Sequence, residues 1–176
     1  MEEVDIVDAH DNVVGREKRE EAHKKGLLHR VVHVMVFDPD GKLFVQQRSL
    51  SKDVYPGFWE GSLSGHVMRG ESYIDAAERE LHEELGVCIS RKSLKEVLLF
   101  GLHDEKERVF AKLFVVKDFK SDVKLDSDEV KSGGFWKMQK VETELQKGKL
   151  FFHPLFKKVL EEFKAMKEKP VEFIKL

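Results

Sequence analysis

The spacing of apolar and polar residues changes its period several times along this 176-residue chain. Residues 3–16 read as two short strands, EVDIVD and VVGR, around a turn at His10-Asp11-Asn12. EKREEAHKK, 17–25, is polar throughout and reads as a short helix that Gly26 can terminate. LLHRVVHVMVF (27–37) and KLFVQQRS (42–49) flank DPDG, a pattern that predicts a hairpin. LSKDVYPGFWEGSLS (50–64) predicts a loop and then a brief strand. Within 94–117, VLLFGLH and RVFAKLFVVK flank DEKE and predict a second hairpin. DFKSDVKLDSDE (118–129) is turn-like, VKSGGFWKM (130–138) holds a strand ending near Phe135-Trp136, and 140–147 reads as a short helix.

Two longer segments carry helical spacing. At about 3.6 residues per turn, Ile74, Ala77, Leu81 and Leu85 share one side of 71–85 and can pack on a sheet. Leu155, Val159, Leu160 and Phe163 do the same in HPLFKKVLEEFKAMKEK, 153–169. No repeat, low-complexity run or interdomain linker breaks the chain. Strands and helices are therefore expected to interleave in one domain, 1–176, with its core at about 28–165 and an N-terminal addition at 1–27.

Composition narrows the partners. Hydrophobic residues make up 41%, with 13 Phe, which suffices for a core. Lys and Arg number 31 against 33 Asp and Glu, so a net charge of −2 gives no drive toward a nucleic acid polymer or a membrane surface. No apolar run reaches bilayer-spanning length, and MEEVDIVDAHD lacks the blocks of a signal peptide. Cys88 stands alone, which excludes an internal disulfide, and reads as a small buried hydrophobe. A cytoplasmic location is the expectation.

Charge is concentrated in GHVMRGESYIDAAERELHEELGV, 65–87. Glu80, Glu83 and Glu84 crowd one turn at i, i+3 and i+4, where like charges oppose one another by about 0.2–0.5 kcal/mol per pair. Taken alone, three such glutamates describe a solvated face. They also suit a hard divalent cation that takes oxygen ligands. The Gly65 carbonyl, ahead of the helix, could join them, and Arg79 could pair with a glutamate and hold it in register.

The whole stretch is more specific than its glutamates. Gly65, five residues, Glu71, seven residues, Arg79-Glu80-Leu81, one residue, Glu83-Glu84, one residue, Gly86-Val87 matches every defined position of the Nudix box, so the chain resembles a Nudix protein. The resemblance implies an α/β fold, an α/β/α sandwich around a central mixed sheet. It implies Mg²⁺- or Mn²⁺-dependent attack of water on a phosphoanhydride, with Glu80, Glu83, Glu84 and Gly65 at the metal. The proton acceptor is then one of these glutamates or a loop carboxylate. Glu129, in DSDEV, is a loop candidate beside its reading as a solvated acidic turn.

A second resemblance covers roughly residues 3–165. HRVVHVMVF and QRSLSKDVYPGFWEGSLSGHV resemble isopentenyl-diphosphate isomerase and its Nudix relatives. It implies that Arg48 and Lys52 grip a diphosphate, where they would otherwise be ordinary surface cations. It also implies a second metal set, His29, His66, Glu105 and Glu107 with His23, although the His23–His29 spacing departs from the isomerase pattern. His29 and His66 read equally as packed structural histidines, and His33 reads as one. The essential cysteine of the isomerases falls at Ser64, and a hydroxyl is a poor substitute for a thiol in moving protons at carbon. The isomerases also lack part of the glutamate set that this chain keeps.

The expected activity is therefore hydrolysis of a phosphoanhydride in a nucleoside diphosphate derivative or other organic diphosphate, by a monomer or homodimer. The alternatives are the isomerase itself and a non-catalytic diphosphate sensor. Trp59 and Phe58 precede the box and offer rings to a substrate or to the core, and Trp136 reads as strand packing.

Overall fold

The computed structural model describes residues 2–52, 54–103 and 108–168. Along the chain run β1 (Glu3–Val7), β2 (Val13–Lys18), α1 (Arg19–Lys24), β3 (His29–Val36), β4 (Leu43–Arg48), β5 (Trp59–Glu60) and β6 (Leu63–His66). There follow α2 (Tyr73–Leu85), β7 (Lys95–His103), β8 (Arg108–Val116), β9 (Val130–Trp136), α3 (Met138–Lys147) and α4 (Pro154–Glu168). No helix among the described residues is long and apolar enough to cross a membrane.

The centre is β3, and its near-continuous apolar run is what a strand buried on both faces requires. Val31 and Met35 pack with Ala111, Leu113 and Val115 of β8 against Leu155, Phe156 and Val159 of α4. Val32, Val34 and Val36 face the other way, with Phe114 of β8, onto Ala77, Leu81 and Leu85 of α2. Helices thus cover both faces. The sheet runs β2-β1-β3-β8-β7, with β6 also pairing β3. It is mixed: β3 and β8 are parallel over their full length, while β6 and β7 join antiparallel. This is the expected α/β/α sandwich.

One predicted pairing does not form. The 27–37 and 42–49 segments make a tight turn, in which the Lys42 backbone N–H donates to the Asp38 carboxylate at 2.8 Å, but only a Phe37–Leu43 bridge joins them. β4 instead centres a separate three-stranded sheet, β5-β4-β9. The reason is competition for edges. A strand has two, and those of β3 are taken by β8 on one side and by β6 with β1 on the other. The second predicted hairpin forms as β7–β8, and both helices with apolar spacing form as α2 and α4.

Cys88 is exposed rather than buried. Gly86 ends α2 in the left-handed region (φ 64°), Val87 takes the buried place beyond it, and Cys88 emerges with its sulfur 3.6 Å from His82 Nδ1. That glycine is required twice over, because a Cβ would also stand 2.9 Å from the Lys124 carbonyl oxygen.

Candidate active site

A cavity of about 410 Å³ opens where the two sheets meet the C-terminal half of α2 and the start of α4. Ser64, Gly65 and His66 of β6 form one wall, and Glu80, Glu83 and Glu84 of α2 another. Arg48, Lys52, Asp126 and Glu129 close the side of the second sheet.

Arg79 organises the α2 wall. Its Nε and Nη2 donate to the two carboxylate oxygens of Glu71, both at 2.9 Å, in the forked geometry that an arginine–carboxylate pair favours. Nη2 also donates to the His66 carbonyl at 2.9 Å. Nη1 donates to Glu80 at 2.8 Å and Glu83 at 3.0 Å. One guanidinium therefore ties the loop after β6 to the helix and offsets the repulsion of neighbouring carboxylates. Among the described residues the three glutamates do not converge within 4.8 Å of one another. Glu84 turns away to Gln46, whose amide donates to it at 2.8 Å.

Burial sets the electrostatics. Removal from water pushes Glu80 up to about 7, a larger effect than the downward pull of Arg79. Burial, reinforced by the nearby Glu60, raises Glu84 well above the usual carboxylate range. Glu60 is itself raised by burial in spite of Arg48 Nη1 donating to it at 3.0 Å. Sequence reading missed Glu60 and Gln46. The available signal was polar residues at positions whose strand neighbours are apolar. It also missed Arg19, which reaches the cavity from α1.

The two expected diphosphate cations both line the cavity, each already engaged. Arg48 donates from Nε and Nη2 to the Val54 carbonyl at 3.3 and 3.1 Å besides its bond to Glu60. Lys52 is ion-paired with Glu129, so these two candidates from separate loops meet across the mouth. Trp59 does not line the cavity. Its ring lies 4.7 Å from that of Trp136 and packs on the α4-side core, because β5 runs beside Phe152 there.

The histidines converge. Ligand atoms of His23, His29 and His66, from α1, β3 and β6, all lie within 4.8 Å of one another. His29 Nδ1 donates to the Leu27 carbonyl at 2.8 Å, which leaves Nε2 a lone-pair nitrogen, and that nitrogen is buried without a hydrogen-bond partner among the described residues. His23 and His66 place their Nε2 atoms 2.9 Å apart. Burial lowers His29 to about 4, and burial with the neighbouring imidazoles lowers His66 well below 6.5, so these two rings are neutral. Glu105 and Glu107 lie outside the described residues. His33 is buried, with Nε2 unpartnered among the described residues.

The NUDIX domain family profile matches residues 27–156. The chain belongs to the Nudix family of hydrolases. It is 37% identical over 130 residues, 73% of this chain and 75% of the other, to Nudix hydrolase PA4841 of Pseudomonas aeruginosa, which is described as uncharacterized. It is 44% identical over 81 residues to the isopentenyl-diphosphate Delta-isomerase of Serratia proteamaculans, and the match spans 46% of this chain and 45% of the isomerase. Among solved structures, DR0079 of Deinococcus radiodurans superposes with a TM-score of 0.73 at 24% identity, over 91% of this chain and 98% of that one, and so shares the Nudix fold.

Proposed function

We propose that this Nudix protein is a divalent-metal-dependent pyrophosphohydrolase that cleaves a phosphoanhydride bond in an organic diphosphate, a nucleoside diphosphate derivative included. The observation that carries the reading is one cavity that sets the buried carboxylates of Glu80 and Glu84 against Arg48 and Lys52. Carboxylates on one side suit a hard cation, and cations on the other suit phosphate oxygens.

The residues fit Mg²⁺ or Mn²⁺ in donor type, hard carboxylate and carbonyl oxygens. A side chain at Gly65 would occupy the space the Glu80 carboxylate uses, so the β6 backbone lies directly against that carboxylate. Glu80, Glu83 and Glu84 with the Gly65 carbonyl would hold the ion. When bound, it neutralises phosphate charge and acidifies water. The chain's own groups do the rest. Arg48 and Lys52 orient the diphosphate, and Arg79 keeps α2 in register with β6. A carboxylate takes the proton of the attacking water as the P–O–P bond breaks and the departing phosphate takes the bridging oxygen. Glu83 and Glu129 are the two candidates for that proton, and Glu129 must part from Lys52 to serve.

The cavity lining among the described residues holds no Phe, Tyr or Trp ring, since Trp59 packs away from it, and its only rings are the imidazoles of His66 and His153. This supports recognition through the diphosphate rather than through a stacked base. The exposed single cysteine accords with a reducing cytoplasm. The deciding experiment is a screen of organic diphosphates with Mg²⁺ and identification of the cleaved bond. Glu84→Gln should abolish turnover of every active compound, and retained hydrolysis would remove the metal assignment.

The histidine cluster favours a second reading, an isomerase of isoprenoid diphosphates with a nitrogen-ligated metal at His23, His29 and His66. Ser64, on the cavity wall where the isomerases carry cysteine, opposes it. Incubation with either five-carbon diphosphate and analysis for the other isomer decides between them.

A further inference from the structure

We propose that Gln46 is a positioning residue for Glu84, fixing that carboxylate where it meets the cation. The inference rests on the reading of Glu84 as a metal-holding group.

Gln46 sits in β4 after Leu43, Phe44 and Val45, all core residues, and is 1% exposed. Its Nε2 donates to Glu84 Oε2 at 2.8 Å and lies 3.5 Å from Glu60 Oε1. Its own oxygen is buried with no hydrogen-bond partner among the described residues. An apolar side chain would fill this place without that desolvation penalty, so packing alone does not account for a glutamine. The donor does. The amide spans from the second sheet to α2 and stands between two buried carboxylates.

The choice of donor matters. Arg79 ties up Glu80 and Glu83 with a full positive charge. Glu84 receives a neutral amide instead, so its orientation is fixed without a positive side chain competing with a metal cation for it. Reversing the amide would set oxygen against carboxylate oxygen, which fixes which end faces α2. On its far side the amide neighbours Glu60, which Arg48 holds. A displacement of Arg48 by a bound anion is thereby adjacent to the group that orients Glu84.

The test reads binding rather than turnover. Mn²⁺ alone is titrated by electron paramagnetic resonance into the full chain carrying His29→Ala, which silences the histidine cluster. Gln46→Met, of similar length without a donor, is expected to weaken Mn²⁺ about 10–100-fold, the usual effect of losing a partner that orients a ligand. Gln46→Asn keeps an amide but falls one methylene short, and should weaken Mn²⁺ in the same direction with folding preserved. In the Glu84→Gln background, Gln46→Met should cause no further loss, a non-additivity that a merely structural role would not produce. Parental Mn²⁺ affinity in folded Gln46→Met and Gln46→Asn overturns the proposal. Absence of Mn²⁺ binding in the parent overturns the metal reading, and this inference with it.

Discussion

A Cβ on Gly65 would stand 2.5 Å from the Glu80 carboxylate oxygen, closer than side-chain atoms approach. The β6 backbone and the α2 carboxylate are thus packed without room for even a methyl group. Gly65→Ala should push Glu80 out of place. We expect a folded protein with native circular dichroism that binds Mn²⁺ at least about 10-fold more weakly, as for other disturbed metal ligands. Unchanged affinity would separate Gly65 from the metal site.

Arg79 bonds five oxygens through one planar fork, which an ammonium cannot reproduce. Arg79→Lys should keep the charge and lose the fork to Glu71. Denaturant unfolding should show a loss of about 1.5–3 kcal/mol, typical of hydrogen bonds to charged groups. A smaller loss than that of an ordinary surface substitution would assign Arg79 to solvated pairing.

His33 is buried and lowered to about 4 by removal from water alone, against 6.5 when exposed. The unfolded chain therefore binds a proton first as pH falls. The stability this ring contributes is intact above about 6.5 and is lost between there and about 4. Unfolding free energies of wild type relative to His33→Gln should decline across that window, with a slope approaching about 1.4 kcal/mol per pH unit. Parallel curves would show that His33 titrates normally.

Three imidazoles from three elements, one with a buried lone pair, should capture a borderline metal. Protein purified with Zn²⁺ present should retain an ion by elemental analysis, and His29→Ala should retain less Zn²⁺. Equal metal content in both would leave the cluster as packed histidines.

Lys52 is assigned to substrate phosphate in ground and transition states alike. Lys52→Ala should raise KM for the diphosphate identified by screening about 10-fold, the order expected for one charge-assisted hydrogen bond, and leave kcat nearly unchanged. A fall in kcat at constant KM would move Lys52 from binding to chemistry.

What the sequence determined by itself was local and periodic. The Nudix box could be read residue by residue because its glycines, glutamates and arginine lie along one continuous strand end, loop and helix, where spacing becomes geometry directly. The same holds for α2, for α4 and for the β7–β8 hairpin. The tertiary structure decided what depends on competition and on distance. β3 and β4 read as a hairpin, yet β6 and β8 occupy the edges of β3 and send β4 to a second sheet. That displacement brings Gln46 and Glu60 to Glu84, a meeting no local pattern marks. Trp59 turns into the core by the same displacement, and His23 joins His29 and His66 only once α1, β3 and β6 are assembled. A residue's own preference is written along the chain, whereas its partners are settled by which neighbours bury the most surface and leave the fewest polar groups unpaired.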